Sequence, residues 1–385
     1  MKRAILAIVV FAAASVRAAW SAEPNERVSP GELTPELPYQ AQRSAPVNYH
    51  VDFSVVVTPP YHCEVLKVWL PVPTSDAAQT VSHSSLSTFP MEVEPRVASE
   101  PLYGNRFAYF EFSKPQGAQI VRHEFDIQVW QLNWNIAPDK LETVEAWPES
   151  FAKYQRGETQ AVVVDDRFRE VLDEILPTRS TASKDFGRVM QWVEANFKYD
   201  HRHASLGASS EHGLTERRGH CSDYHGFCAS MGRALGVPTR VTYGIAPFPK
   251  NSPSHCKLEA FLAPYGWVSF DVSETQKLIN NISESSSLDA SEKAELIAKA
   301  QQRLESGFRD NTWFLQTRGT DYDLVPPAAK RVAVVRTAYV EADGVALPEP
   351  DPADAERNTY SWMTVHKYSA DKQVSYPFKD WKTLQ

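Results

Sequence analysis

The chain reads as an α+β protein, a β-sandwich followed by helices packed on an antiparallel sheet. Three observations predict this. Residues 45–135 hold several short runs of period-two hydrophobicity separated by turn-rich spacers. Residues 165–235 change to helical spacing, and residues 239–272 return to short apolar strands around Pro264-Tyr265-Gly266. The 385 residues are 42% hydrophobic and 11% aromatic, enough for packed cores and for more than one domain.

The first 18 residues read as a secretory signal peptide. Lys2 and Arg3 precede an apolar run from Ala4 to Val16, and Val16-Arg17-Ala18 offers a small-residue cleavage site. The run is too short to span a bilayer comfortably, so export to the periplasm or medium is expected, with no membrane insertion after cleavage; an uncleaved membrane anchor is the competing reading. Cleavage would remove Lys2, Arg3 and Arg17 and take the formal net charge from −8 to −11. An acidic chain without basic blocks argues against nucleic acid as a partner.

Residues 19–44 are polar and Pro-rich, a flexible arm by composition. In Tyr49–Val57, Val51, Phe53, Val55 and Val57 alternate with polar residues, so this is a half-buried strand. Val65–Leu70, Arg106–Phe112 and Glu124–Trp130 are three more. Residues 136–163 read as a linker. Asp165–Leu176 is helical up to Pro177, and Lys184–Phe197 places Phe186, Val189, Met190, Val193 and Phe197 on one helical face. Cys221–Leu235 is helical again, with Gly236 as a C-terminal cap and Pro238 blocking continuation. Thr239–Ile245, Leu258–Leu262 and Trp267–Val272 read as strands, and Asp289–Leu304 as a surface helix with an Asp289/Glu292 capping box. Arg331–Tyr339 looks strand-like. A tail at 346–385 begins polar and Pro-rich, then carries Trp362, Tyr368, Tyr376, Phe378 and Trp381, so part of it should dock.

The stretch Arg218-Gly219-His220-Cys221-Ser222-Asp223-Tyr224-His225 carries the chemistry. It sets a cysteine at the start of a helix, where unpaired N–H groups and the dipole favour a thiolate. His255 opens one strand, and Asp271 lies on the strand that returns after Gly266. A base in that place can activate the thiol, and a carboxylate can fix the base's tautomer and orientation. Antiparallel neighbours can bring the two side by side. The three residues form a candidate Cys-His-Asp catalytic triad, and backbone N–H groups at Cys221 would receive an oxyanion. The mechanism requires no cofactor and no metal.

The runs GHCSDYHGFCASMGRALGVPTRVTYG and HCKLEAFLAPYGWVSFDVSET resemble the transglutaminase-like superfamily, most of all its bacterial exported branch. The resemblance implies a papain-like transglutaminase core, with Cys221, His255 and Asp271 on the three catalytic positions. Asp223, Tyr224, His225, Arg233, Gly236, Pro238, Arg240, Glu259 and Trp267 match its supporting positions. Trp69-Leu70-Pro71-Val72-Pro73 is similar to the family's N-terminal β domain, and Gly319-Thr320-Asp321 and Glu341-Ala342-Asp343-Gly344 to its C-terminal segment. Coverage runs from about 45 to 345, and the catalytic domain with its extension is expected over 164–345. The chain departs from the family at Lys257, where tryptophan commonly stands. Cys256 matches the family's cysteine after the histidine and is either packed or a disulfide partner.

Other readings compete. Cys221, His225, His255 and Cys256 are zinc-ligand types, yet strand alternation points His255 and Cys256 to opposite faces. Cys228, two turns after Cys221, reads as core. Four cysteines, including Cys63, are too sparse for a disulfide framework. The expected function is thiol-dependent acyl transfer on protein or peptide amides: hydrolysis of a peptide bond or glutamine amide, or transglutamination, with hydrolysis favoured. The alternative is a catalytically inactive envelope scaffold with the same fold.

Overall fold

The computed structural model describes residues 33–248, 253–350 and 361–385. The signal peptide expected at 1–18 lies outside them. The strands are β1 (Gln42–Val57), β2 (Val65–Pro71), β3 (Gln79–Phe89), β4 (Arg96–Ser99), β5 (Arg106–Ser113), β6 (Gln119–Asn133), β7 (Lys198–Tyr199) and β8 (Arg218–Gly219). They continue as β9 (Thr239–Ile245), β10 (Ser254–Leu262), β11 (Gly266–Phe270), β12 (Phe308–Arg309), β13 (Phe314–Arg318), β14 (Tyr339–Ala342), β15 (Val345–Ala346) and β16 (Trp362–Ala370). The helices are α1 (Asp166–Ile175), α2 (Ala182–Asn196), α3 (Ser210–Glu216), α4 (Cys221–Ala234), α5 (Val272–Glu284) and α6 (Ala290–Ser306). Among them no helix is long and apolar enough to cross a membrane.

Two antiparallel sheets form the sandwich. One runs β12-β6-β1-β16 with β3 also on β6, the other β15-β14-β2-β5-β4. The alternation in Tyr49–Val57 sends Val51, Phe53, Val55 and Val57 into the space between the sheets. There they meet Leu66, Val68 and Leu70 of β2, Phe110 and Phe112 of β5, and Phe125, Ile127 and Val129 of β6. Burying one such side chain contributes about 1.5–3 kcal/mol.

This sandwich is not confined to 45–135. β16 pairs with β1 from Tyr49↔Ala370 to Val57↔Trp362, and β14 pairs with β2. The tail expected at 346–385 thus supplies a sandwich strand. Its edge position explains why it looked unpatterned: β16 carries a buried Trp362, but most of its later residues are half-buried or exposed. β3 was not legible for a related reason, since its Ser- and His-rich residues are mostly exposed.

Three further expectations are corrected. The arm expected through 44 is docked from Leu33 onward: Leu33, Leu37 and Tyr39 pack on a cluster of Phe151, Tyr154, Phe261 and Trp267. The linker expected at 136–163 contributes Phe151 and Tyr154 to that cluster, and Ala161 and Val162 to the central core. Arg331–Tyr339 is not a strand up to Ala338, and only Tyr339 belongs to one, β14. Val332 makes one bridge to Tyr322, and Val332 and Val335 cover Trp69, Phe107 and Tyr109 on the outer face of β2 and β5. The chain there follows an aromatic surface rather than a strand edge.

The central domain packs α1, α2 and α4 on the sheet β11-β10-β9-β13. Every residue from Cys221 to Arg233 is buried, so α4 is a core helix on all sides. Phe186, Val189, Met190 and Val193 of α2 face it, as the helical spacing predicts. The two domains share apolar contacts. Phe314 of β13 meets Phe125 of β6 edge-to-face at 5.7 Å, and Ile245 of β9 joins the sandwich core.

Candidate active site

Cys221 is the first residue of α4. His220 caps the helix: its Nδ1 accepts from the backbone N–H of Ser222 at 3.2 Å, and the Asp223 carboxylate accepts from the His220 N–H at 3.1 Å. Asp223 also accepts from the Ser205 hydroxyl, which ties the preceding loop to the same cap. Gly219, at φ +142°, makes room for this, because a Cβ there would lie 2.2 Å from Asp223 Oδ2. The sequence motif thus resolves into a helix start whose positive end faces the thiol.

His255 lies near the start of β10, and its Nε2 is 2.7 Å from Asp271 Oδ2. That leaves Nδ1 for Cys221. Asp271 is not on a returning strand as expected. β11 stops at Phe270, and Asp271 is the N-cap of α5, its Oδ1 accepting from the Glu274 N–H at 3.0 Å and from the Ser273 hydroxyl at 3.2 Å. One carboxylate both caps a helix and meets the His255 ring. The Asp-x-x-Glu spacing of a capping sequence was present at Asp271 and Glu274.

The charges fit a thiolate–imidazolium pair. A hydrogen bond from the Cys256 thiol holds Cys221 well below the usual thiol range, against the cost of burial, and the His255 charge adds to this. Burial opposes charge on His255, but Asp271 and then Cys221 raise its pKa to about 9. Burial likewise opposes ionisation of Asp271, yet His255 and Lys257 hold its carboxyl well below the usual range.

Cys256 was expected to face away from the base. Both His255 and Cys256 nevertheless act on Cys221, and each helps to lower its pKa. Strand alternation separates Cβ atoms, but it does not keep a ring and a thiol from converging on a third atom. His225 sets the direction of this contact. Its Nε2 accepts from the Val272 N–H at 3.2 Å, so Nδ1 carries the proton and donates to Cys256 Sγ at 3.5 Å. Cys256 then has its S–H free to give to Cys221. Burial pushes His225 down to about 4, which keeps it neutral in this role. All four cysteines are free and buried, and burial pushes the Cys228 thiol up, as suits a core residue.

The remaining supporting residues divide between the site and the frame. Tyr224 donates to Gln276 Oε1 at 2.7 Å, and Gln276 donates to the Glu194 and Phe197 carbonyls, so α4, α5 and the end of α2 are locked together. Arg240, Glu259 and Trp267 form a separate cluster. Arg240 donates to Glu259 at 2.7 Å and stacks over the Trp267 ring at 3.9 Å, while Tyr39 donates to Glu259 at 2.6 Å. Glu259 is four residues along β10 from His255, about 13 Å, so this cluster holds the sheet, away from His255 and Cys221.

Sequence reasoning missed Asp310, Trp313 and Phe378. Trp313 donates from Nε1 to the His255 carbonyl at 3.0 Å. Lys257 Nζ lies 2.6 Å from Asp271 Oδ2 and 2.9 Å from Asp310 Oδ1. Phe378, Tyr376 and Lys379 line a small cavity beside His255. No motif marks these positions, which only the tertiary fold brings together. Among the described residues, no three His, Cys, Asp or Glu side chains group so as to hold a metal ion.

Known proteins resemble this chain in part of its sequence and in its fold. Residues 169–272 match the family model described as the transglutaminase-like superfamily. A solved structure from Cytophaga hutchinsonii, described as a candidate cysteine protease, superposes with a TM-score of 0.59 at 14% identity, over 87% of this chain and 94% of that one. The periplasmic domain of TgpA from Pseudomonas aeruginosa is 17% identical, with a TM-score of 0.32 over 63% of this chain and 75% of that one. A Haemophilus influenzae protein of uncharacterised function is 23% identical over 222 residues, 51% of this chain and 58% of that protein. The chain therefore matches little more than half the length of this curated relative. Residues 169–272 are therefore transglutaminase-like in sequence, and the chain shares the fold of the Cytophaga hutchinsonii structure.

Proposed function

We propose that this chain is an exported thiol-dependent acyl-transfer enzyme acting on protein or peptide amides. One observation carries the reading: Asp271 Oδ2 lies 2.7 Å from His255 Nε2, and the other side of that imidazole faces a depressed thiol at the start of α4. The Cys221 thiolate attacks the amide carbon, and the carbonyl π electrons move onto oxygen, toward the N–H groups of the α4 start. His255 gives its proton to the amide nitrogen as the C–N bond breaks, leaving a thioester and a free amine. Neutral His255 then takes a proton from water, whose oxygen attacks the thioester. The acid and the Cys221 thiolate are released, with the proton back on His255. If a primary amine replaces water, the product is a new amide. Asp271 keeps Nδ1 aimed at the sulfur throughout.

Hydrolysis is the favoured outcome, because water needs no built acceptor channel. The acidic balance of the chain supports a peptide over a nucleic acid as substrate. Export rests on the N-terminal sequence, with its positive start and short apolar run.

The test is incubation with a peptide library, with and without an added primary amine, read by mass spectrometry. Cleavage, a one-dalton deamidation or an amine adduct each names the activity. Cys221→Ala should lower the rate by at least about 10³-fold. A rate that survives this substitution sinks the thiol mechanism.

A further inference from the structure

Two residues after the candidate base stands a lysine that acyl transfer by Cys, His and Asp does not require. Lys257 is 1% exposed. Its ammonium donates to Asp271 Oδ2 at 2.6 Å, the same oxygen that His255 Nε2 meets at 2.7 Å. On its other side it lies 2.9 Å from Asp310 Oδ1, and the Thr312 hydroxyl holds Asp310 in place. The rings of Phe378 and Trp313 close over the ammonium at 4.9 and 5.4 Å.

A buried cation is costly unless well paired, and for stability alone an apolar residue of similar size commonly does as well. The position of this one has a chemical consequence. Without it, Asp271 would turn its full negative charge on His255. An imidazolium held that strongly is a poor acid toward a leaving amine. We propose that Lys257, bridging Asp271 and Asp310, is a positioning residue that fixes the orienting carboxylate and limits its pull on the His255 proton. The proposal rests on the Cys-His-Asp reading of the site.

The other charged and titratable groups around the pair are Cys221 and His225 from α4 with its cap His220, Tyr199 from β7, Cys256 from β10, Glu274 and Lys277 from α5, Arg303 from α6, and Lys379 from the C-terminal segment. None of them reaches Asp271 Oδ2 as Lys257 does. Removing the Lys257 charge leaves the site more negative, so the titrations of both Cys221 and His255 move upward.

The experiment follows Cys221 alkylation by iodoacetamide against pH in the full chain, read on the Cys221 peptide by mass spectrometry. It needs no substrate. In Lys257→Met the alkylation midpoint should rise by about half a unit or more, and Lys257→Arg should restore it. Should Lys257→Met fail to fold, Lys257→Gln keeps a hydrogen-bond donor toward the two carboxylates, removes only the charge, and carries the same expected shift. A folded variant whose midpoint coincides with wild type overturns the assignment and leaves Lys257 with a packing role only. A wild-type midpoint at the ordinary thiol value, about 8.5, overturns the underlying thiol reading instead, so the two failures are distinguishable.

Discussion

Buried histidines in this chain do opposite things within a few ångströms. His255 is charged because Asp271 and Cys221 outweigh its burial, whereas His225 is neutral because burial dominates. Neutrality matters for His225, because an imidazolium could not accept the Val272 N–H at Nε2. His123 of β6 is a second buried neutral histidine, also pushed to about 4 by burial, with the Ser84 hydroxyl 2.8 Å from its Nε2. A histidine depressed to about 4 in the fold and near 6.5 when unfolded binds fewer protons folded between those values. Stability therefore rises with pH across that window and is lost as pH falls from 6.5 toward 4. Each such group accounts for on the order of 3 kcal/mol by pH 4. Thermal melts of wild type should drop steeply from pH 6.5 to 4.5, and His123→Gln, remote from the candidate site, should flatten that drop. A His123→Gln curve parallel to wild type would show that His123 does not drive the acid transition.

The candidate site depends on where two helices begin. α4 starts at Cys221 because His220 and Asp223 cap it, and α5 starts at Val272 because the Asp271 side chain caps it. The first start needs Gly219. Gly219→Ala would set a Cβ 2.2 Å from Asp223 Oδ2, at a φ of +142° that L residues rarely adopt. Loss of the cap and backbone strain together should cost about 2 kcal/mol or more in denaturant unfolding, and Cys221 alkylation should slow. Gly187→Ala in α2, where nothing lies within 4 Å of the added atom, should instead be neutral or stabilising. Equal losses for the two glycines would remove the steric argument. Both the helix start at Cys221 and the α2 face were legible in the sequence, because capping and 3.6-residue periodicity are local properties. The α5 start was misread: Phe270 and Val272 continue the apolar run of β11, and that run hid the Asp271 cap. Lys257 was visible as a departure from the family, but its partner Asp310 was not, because the two meet only when the segment leading into β13 returns beside β10.

The whole molecule is closed by its C-terminal residues, which serve two places at once. β16 hydrogen bonds along β1 over Tyr49–Val57 and seats Trp362, 2% exposed, in the sandwich core. Beyond it, Phe378 packs on Phe308 at 5.6 Å and over Lys257, while Arg303 of α6 donates to the Pro377 carbonyl at 2.7 Å and the Thr383 carbonyl at 2.9 Å. Two truncations should separate these duties. Ending the chain after Pro350 removes the β1 partner and the Trp362 side chain, and leaves β1 as an open, strongly apolar edge. Loss of a buried tryptophan alone costs about 3–5 kcal/mol, so this variant should unfold at much lower denaturant and aggregate through the exposed strand. Ending the chain after Asp371 keeps every β1–β16 pair and removes the segment over Lys257 and beside His255, together with its contacts to α6. That variant should keep most of its stability, because the sandwich core is intact. Its Cys221 should meet iodoacetamide faster, because Tyr376, Phe378 and Lys379 no longer wall the cavity beside His255. If both truncations lose stability equally, the last fourteen residues hold the fold as much as β16 does, and the division of labour between strand and cover fails. If the shorter truncation is stable but Cys221 reacts at the wild-type rate, the segment does not control access to the thiol.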